Sequence, residues 1–218
     1  MSVNINEFKI YTEGILVNKN QSGNTITPSQ FNIAAHRAQM IVFEKDRQTF
    51  LKTGESSDYL NWFLVNTIIN PNYLTGFFPY PSNFQHTAGV RSYYNGKEQK
   101  VDLVTTNAWG EIQQSELIPA TLEFPKYNEF AGKYRFLPRN IGTVMLDYWK
   151  EPIKPVWGYT IVNNVAVYNP ATSVDFEWAE FALNSVASAY VSIIAQNLKD
   201  QQLAQFAEAK SKQNNSVV

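Results

Sequence analysis

Ile26-Thr27-Pro28-Ser29-Gln30-Phe31 reads as the start of a helix, and the fold expected for this chain grows outward from it. Thr27 can cap, and Pro28 suits the first helical position. Gln30 stands three residues past the cap, the spacing at which the Thr hydroxyl and the Gln amide satisfy each other's backbone N–H groups. Ile26 and Phe31 occupy the two positions of a hydrophobic staple. Beyond them Phe31, Ala34, Ala35, Ala38, Ile41 and Val42 recur at helical spacing. The pattern predicts a helix from Pro28 to about Phe50, with Gly54 placed to end it.

Upstream, residues 1–25 read as an extended arm. Val3, Ile5, Phe8 and Ile10 are loosely spaced, and Gln21-Ser22-Gly23-Asn24 is a polar turn. Such an arm either covers its own core or packs on a neighbour. Downstream, Ser56 or Ser57 caps a second expected helix with the stripe Leu60, Phe63, Leu64 and Ile68, stopping before Pro71. Residues 70–83 read as a loop with bulky anchors. Residues 88–170 turn β-rich. Val90–Tyr94 runs into Asn95-Gly96, a type I′ hairpin signal, and Val101–Val104 returns from it. A short helix is expected at Ala108–Ser115 with Asn107 as its cap. Thr121–Phe124, Tyr134–Leu137 and Thr143–Trp149 read as strands, and Trp157–Ile161 with Val165–Tyr168 as a pair joined by Asn163-Asn164.

The last helix is expected from a cap at Thr172 or Ser173, with Asp175, Glu177 and Glu180 in its first turns. One face carries Leu183, Val186, Tyr190, Ile193 and Ile194. Another carries only small residues: Ala182, Ser185, Ser188, Ala189, Ser192 and Ala195. That stripe suits an internal helix seam or a subunit seam equally. A break near Asn197–Asp200 leads to a shorter helix through Leu203 and Phe206, and the end turns polar. The expected fold class is therefore α+β: long helices near the N- and C-termini with a small antiparallel β-sheet between them. The connections look too short for parallel crossovers. The expected organisation is one structural domain over 1–218. It comprises the arm 1–25, helical parts 26–70 and 172–210, a β-rich part 88–170 and a polar tail 211–218.

Composition narrows the function. The chain has 218 residues, 18 basic against 19 acidic, for a net charge of -1. This balance argues against a general binder of nucleic acid or anionic membrane. With no Cys, disulfides, thiolate nucleophiles and Cys-ligated zinc are excluded, and two His cannot build a three-His metal site. No signal-peptide h-region and no run of about 18 apolar residues is present. Neither His36 nor His86 has an acid nearby to make a dyad. Glu177 and Glu180, on one face if helical, fit dipole complementation better than acid–base work. Phosphate-cradling glycine strings and nucleophile elbows are absent. Trp109, Trp149, Trp157 and Trp178 fit packing better than a stacking platform. No catalytic residue, cofactor or metal is expected.

Three groups of strings carry a family resemblance. The first is Val17-Asn18-Lys19-Asn20-Gln21-Ser22-Gly23-Asn24-Thr25-Ile26-Thr27-Pro28, followed by Phe31-Asn32-Ile33-Ala34-Ala35-His36-Arg37-Ala38-Gln39-Met40. The second is Leu137-Pro138-Arg139-Asn140-Ile141-Gly142, then Tyr148-Trp149-Lys150-Glu151-Pro152 and Pro155-Val156-Trp157. The third is Tyr168-Asn169-Pro170, Ser173-Val174-Asp175-Phe176-Glu177-Trp178 and Asn197-Leu198-Lys199-Asp200-Gln201-Gln202-Leu203. In this order they resemble virion structural proteins of crAss-like tailed bacteriophages of Bacteroidetes, in particular the head–tail connector or ring proteins. The resemblance implies a non-enzymatic subunit of the neck, linking portal to tail and lining the DNA channel. It implies a closed homo-oligomeric ring of about 12 copies, built by head-to-tail contacts that close by rotation. The implied partners are the portal protein, other ring and tail proteins, and passing genomic DNA read without sequence recognition. No membrane partner is implied. The implied location is the virion, assembled in the host bacterial cytoplasm. Other roles it leaves open are a tail-barrel or capsid-associated protein; a carbohydrate-binding module stands apart from the resemblance. The interface residues expected are Phe8, Ile10, Trp157, Ser185, Ser188 and Ser192.

Overall fold

A computed structural model describes residues 2–17, 26–54, 57–117 and 119–197. The helices are α1 (Ile5–Val17), α2 (Pro28–Thr53), α3 (Asp58–Asn61), α4 (Thr106–Gln114) and α5 (Leu183–Asn197). The strands are β1 (Ser2–Val3), β2 (Leu64–Ile69), β3 (Phe77–Pro79), β4 (Phe84–Tyr94), β5 (Lys97–Lys100), β6 (Asp102–Leu103), β7 (Lys126–Phe130), β8 (Lys133–Leu137), β9 (Val144–Lys150), β10 (Tyr159–Val162), β11 (Val165–Tyr168) and β12 (Phe176–Ala179). They form two compact units, Met1–Trp62 with Pro152–Val218, and Phe63–Glu151.

This architecture overturns the expected fold class. The chain is mixed α/β, and its β structure is not one small sheet between helices. The second unit holds two four-stranded sheets, ordered β2-β9-β4-β5 and β3-β8-β7-β6. Nor is the pairing all antiparallel. β6 and β7 run parallel, with Asp102 opposite Lys126, and the crossover between them contains α4.

The corrections share a physical cause. The stripe read as a helix through Ile68 is helical only over α3. From Leu64 it becomes β2, because Leu64-Val65-Asn66-Thr67-Ile68-Ile69 is rich in β-branched residues and pairs residue by residue with β9. Within the expected arm 1–25, whose residues 18–25 lie outside the described ones, Ser2–Val3 is extended but Ile5–Val17 is α1. Asn4 caps it, its Oδ1 accepting from the N–H groups of Asn6 and Glu7, and Asp175 accepts from the N–H of Ile5 at 2.9 Å. Its buried stripe is Ile5, Phe8, Thr12 and Leu16. The polar Thr12 hides that period in the sequence. Its hydroxyl is satisfied by donating to the carbonyl of Phe8. The final helix starts at Leu183, ten residues later than its expected cap at Ser173. Asp175 therefore serves α1, and Glu177 sits on β12. The expected strand Thr121–Phe124 is exposed loop, and the strand begins at Lys126. The expected helix through Leu203 and Phe206, the tail 211–218 and the turn 21–24 lie outside the described residues.

Other expectations match the structure. Thr27 and Gln30 form the reciprocal capping box, and Gly54 ends α2 in the left-handed conformation at φ 74°. Asn95-Gly96 turns β4 into β5, although the returning strand is Lys97–Lys100 and not the expected Val101–Val104, and Asn163-Asn164 turns β10 into β11.

In the first unit α5 is buried nearly all round and packs along α2, where Ala34, Ala35 and Ala38 allow close approach. The rings of Phe8, Phe31, Phe176 and Tyr190 pack together at centroid separations of 4.7–6.3 Å. In the second unit Val144, Leu146 and Tyr148 point inward from β9 and join Val90, Tyr127, Tyr134 and Phe136 in the core.

Candidate functional site

Among the described residues, the His and Glu side chains weighed as candidate acid–base groups do not come together. Among the described residues no three His, Cys, Asp or Glu side chains come together to hold a metal. His36 lies on α2 with its Nδ1 3.2 Å from the Gln39 amide. His86 is on β4, in the other unit. Glu177 accepts from the backbone N–H of Ile153, whereas Glu180 opens a short 3-10 turn, so the expected one-face helical pair does not form. In the second unit Glu129 accepts from Thr87, whose hydroxyl also lies 2.9 Å from that of Tyr134. Burial first, then the Glu129 charge, push Tyr80 up to about 12. Thr87 thus links the Glu129 carboxylate and the Tyr134 hydroxyl in one polar network.

What stands out is a surface. The ten residues Tyr159-Thr160-Ile161-Val162-Asn163-Asn164-Val165-Ala166-Val167-Tyr168 form a two-stranded hairpin without a single charge. Asn163 and Asn164 take the left-handed conformation, φ 50° and 63°, that a two-residue type I′ turn requires. Register places Tyr159, Ile161, Ala166 and Tyr168 on one face and Thr160, Val162, Val165 and Val167 on the other. Both faces meet solvent. Ile161 is 62% exposed and Val165 61%, with Tyr159, Val162 and Val167 at 42–50%. Scattered exposed aliphatics are ordinary, whereas a contiguous apolar element exposed on both sides is uncommon on a lone subunit.

The hairpin is held firmly at its base. Trp157 is only 5% exposed and stacks on Tyr159 at 6.0 Å. Its indole N–H donates to Asn6 on α1 at 3.0 Å, its backbone N–H donates to Asn32 on α2 at 2.7 Å, and the Lys9 ammonium lies 4.7 Å from its ring centre. The Gly158 N–H donates to the Ser173 hydroxyl, and the Asn169 N–H donates to the Gly158 carbonyl. An isolated hairpin is marginal in water, so this base is what keeps the ten uncharged residues ordered. Glycine is required there. A Cβ at 158 would run into the Thr172 hydroxyl and come within 2.6 Å of its carbonyl oxygen. Gly158→Ala is expected to cost about 2 kcal/mol by overpacking. Urea unfolding checks the loss, and faster amide exchange across 159–168 checks that it is centred on the hairpin.

The expected interface residues are scattered. Phe8 is buried among the core rings, while Ile10 on the same helix points outward. Ser188 is buried, its hydroxyl donating to the Asn184 carbonyl, and Ser185 and Ser192 are half-buried on α5. Trp157 anchors the hairpin from within. Trp109, Trp149 and Trp178 are buried too, so none of these four tryptophans presents an open platform for a sugar. The sequence located this hairpin's strands and turn but not its exposure. The available signal was the absence of any charged residue from Tyr159 to Tyr168. No protein-family model matches the chain, and no curated protein matches it.

Proposed function

We propose that this chain is a structural subunit that acts by assembly, without making or breaking a bond. The observation that carries the reading is the anchored, uncharged hairpin, apolar and exposed on both faces. Taken with the resemblance to connector proteins of crAss-like phages, the fuller reading is a closed ring in the head–tail connector. That ring would join portal to tail in the virion and surround the DNA channel. Near-neutral net charge suits a wall past which DNA must slide. Ring contacts repeat many times, so each one need be only modest for the whole to hold.

Native mass spectrometry and negative-stain imaging of the purified chain, alone and with the portal protein of the same phage, test this. The expected result is a discrete species of one high copy number with a central hole. A chain that stays monomeric at high concentration, with and without portal, contradicts it.

A further inference from the structure

We infer that the free edge of β2 receives the 159–168 hairpin of a second copy of this chain, the two joining as one continued β-sheet across the subunit boundary. This rests on the assembly reading above and names the surfaces that meet.

β2 is an outer strand of its sheet. The Lys150 N–H donates to the Phe63 carbonyl at 3.0 Å, which sets the phase of the ladder. Val65, Thr67 and Ile69 therefore turn their backbone groups toward β9, and Leu64, Asn66 and Ile68 turn theirs away. Those outward groups have no partner among the described residues. Exposed edges of this kind are normally blunted by charge, proline or shortness. The remaining outer strands of the two four-stranded sheets follow that rule. β5 is Lys97-Glu98-Gln99-Lys100, β3 is three residues ending in Pro79, and β6 is two residues with Asp102. β2 alone has six residues with no charge and no proline, and its Ile68 is 63% exposed. A sheet guarded at one edge and bare at the other is built to be extended at the bare one.

The hairpin meets the requirements of the occupant. It is extended, uncharged and has free edges of its own. The two-residue turn makes Val162 and Val165 a hydrogen-bonded pair, and the Asn169–Gly158 bond continues the same phase. Tyr159 and Ile161 on one strand, and Ala166 and Tyr168 on the other, thus point their N–H and C=O groups outward. Neither β2 nor the hairpin carries a charged residue, so docking desolvates no charge on either partner strand. Hairpin against hairpin would be an isologous pair that stops at two copies. Hairpin against β2 joins two different surfaces, so it repeats head to tail and can close into a ring.

The chain contains no Cys, so introduced thiols report cleanly. Ile161→Cys protein is mixed in turn with Leu64→Cys, Asn66→Cys or Ile68→Cys protein and oxidised, each variant also being oxidised alone. Hydrogen-bonded partners across an antiparallel pair stand about 5.5 Å apart at Cα, within reach of a disulfide. The expected result is a covalent two-subunit species in at least one mixture and in no single variant. A second variant, Ile68→Pro, removes one outward N–H while sparing the β9 ladder. It is expected to weaken assembly at least tenfold with the monomer's melting temperature little changed. Crosslinking of Ile161→Cys with itself alone, or intact assembly by Ile68→Pro together with no crosslink in any mixture, overturns this inference and leaves the assembly reading standing. Failure of the unmodified chain to assemble overturns both.

Discussion

With both Ile161 and Val165 replaced by lysine, the chain is expected to fold as before and to lose assembly altogether at micromolar concentration. The two residues lie on opposite faces of the hairpin, so each face receives one charge. Each is more than 60% exposed, so in the lone subunit the ammonium groups stay in water. Exposed substitutions of this kind change stability by about 0.5 kcal/mol or less. In an assembly that covers the hairpin the balance reverses. Burying one such aliphatic side chain is worth about 1.5–3 kcal/mol, and a lysine forfeits that and must also be desolvated. Two sites together amount to about 3–6 kcal/mol per contact, or roughly two to four decades in affinity. Sedimentation velocity reads the association, and far-ultraviolet circular dichroism with urea unfolding reads the fold. Assembly within threefold of the unsubstituted chain would mean that the hairpin is not the contact.

Gln39→Leu is expected to have the opposite signature, a large loss of stability. Gln39 is fully buried on α2. Its amide nitrogen donates to the Ile153 carbonyl at 3.0 Å and lies 3.2 Å from the His36 ring, and its oxygen accepts from the Trp178 indole N–H at 3.2 Å. One side chain thus ties three segments of the first unit together. Leucine has similar bulk, so the cost comes from polar partners and not from a cavity. The Trp178 indole loses its acceptor in a buried setting, at about 1–3 kcal/mol, and the part-buried Ile153 carbonyl loses its donor, at about 1 kcal/mol. The expected total is about 3 kcal/mol, read as a lower urea midpoint at unchanged slope. A loss under 1 kcal/mol would show that the network is dispensable.

Local signals were strong wherever a few adjacent residues decide the backbone. The Thr27–Gln30 capping box, Gly54, the Asn95-Gly96 and Asn163-Asn164 turns and the alternation of β9 all act over a handful of residues. They were legible for that reason. What failed depended on distant partners. β2 is a strand because β9 pairs with it, from some 80 positions away in the chain. Short apolar runs fit both periods until such a partner chooses between them. α1 was missed because a buried threonine interrupts its stripe, and because one of its capping acceptors, Asp175, comes from the far end of the sequence. The same carboxylate, read locally, looked like the first turn of a helix. Gln39 gave no signal, since a glutamine on a helix reads as surface until Trp178 and Ile153 close over it. The hairpin was half legible. Its strands and turn follow from composition, but its exposure on both faces is a property of what the rest of the chain leaves uncovered.

Amide hydrogen exchange across residues 159–168, compared between the lone subunit and the assembled particle, bears most directly on the central claim. The account predicts strong slowing at Tyr159 and Ile161 on assembly, because their backbone N–H groups point away from the hairpin's own ladder, along the edge that β2 of the next subunit would pair. A particle that assembles while these amides exchange as fast as in the monomer would contradict it.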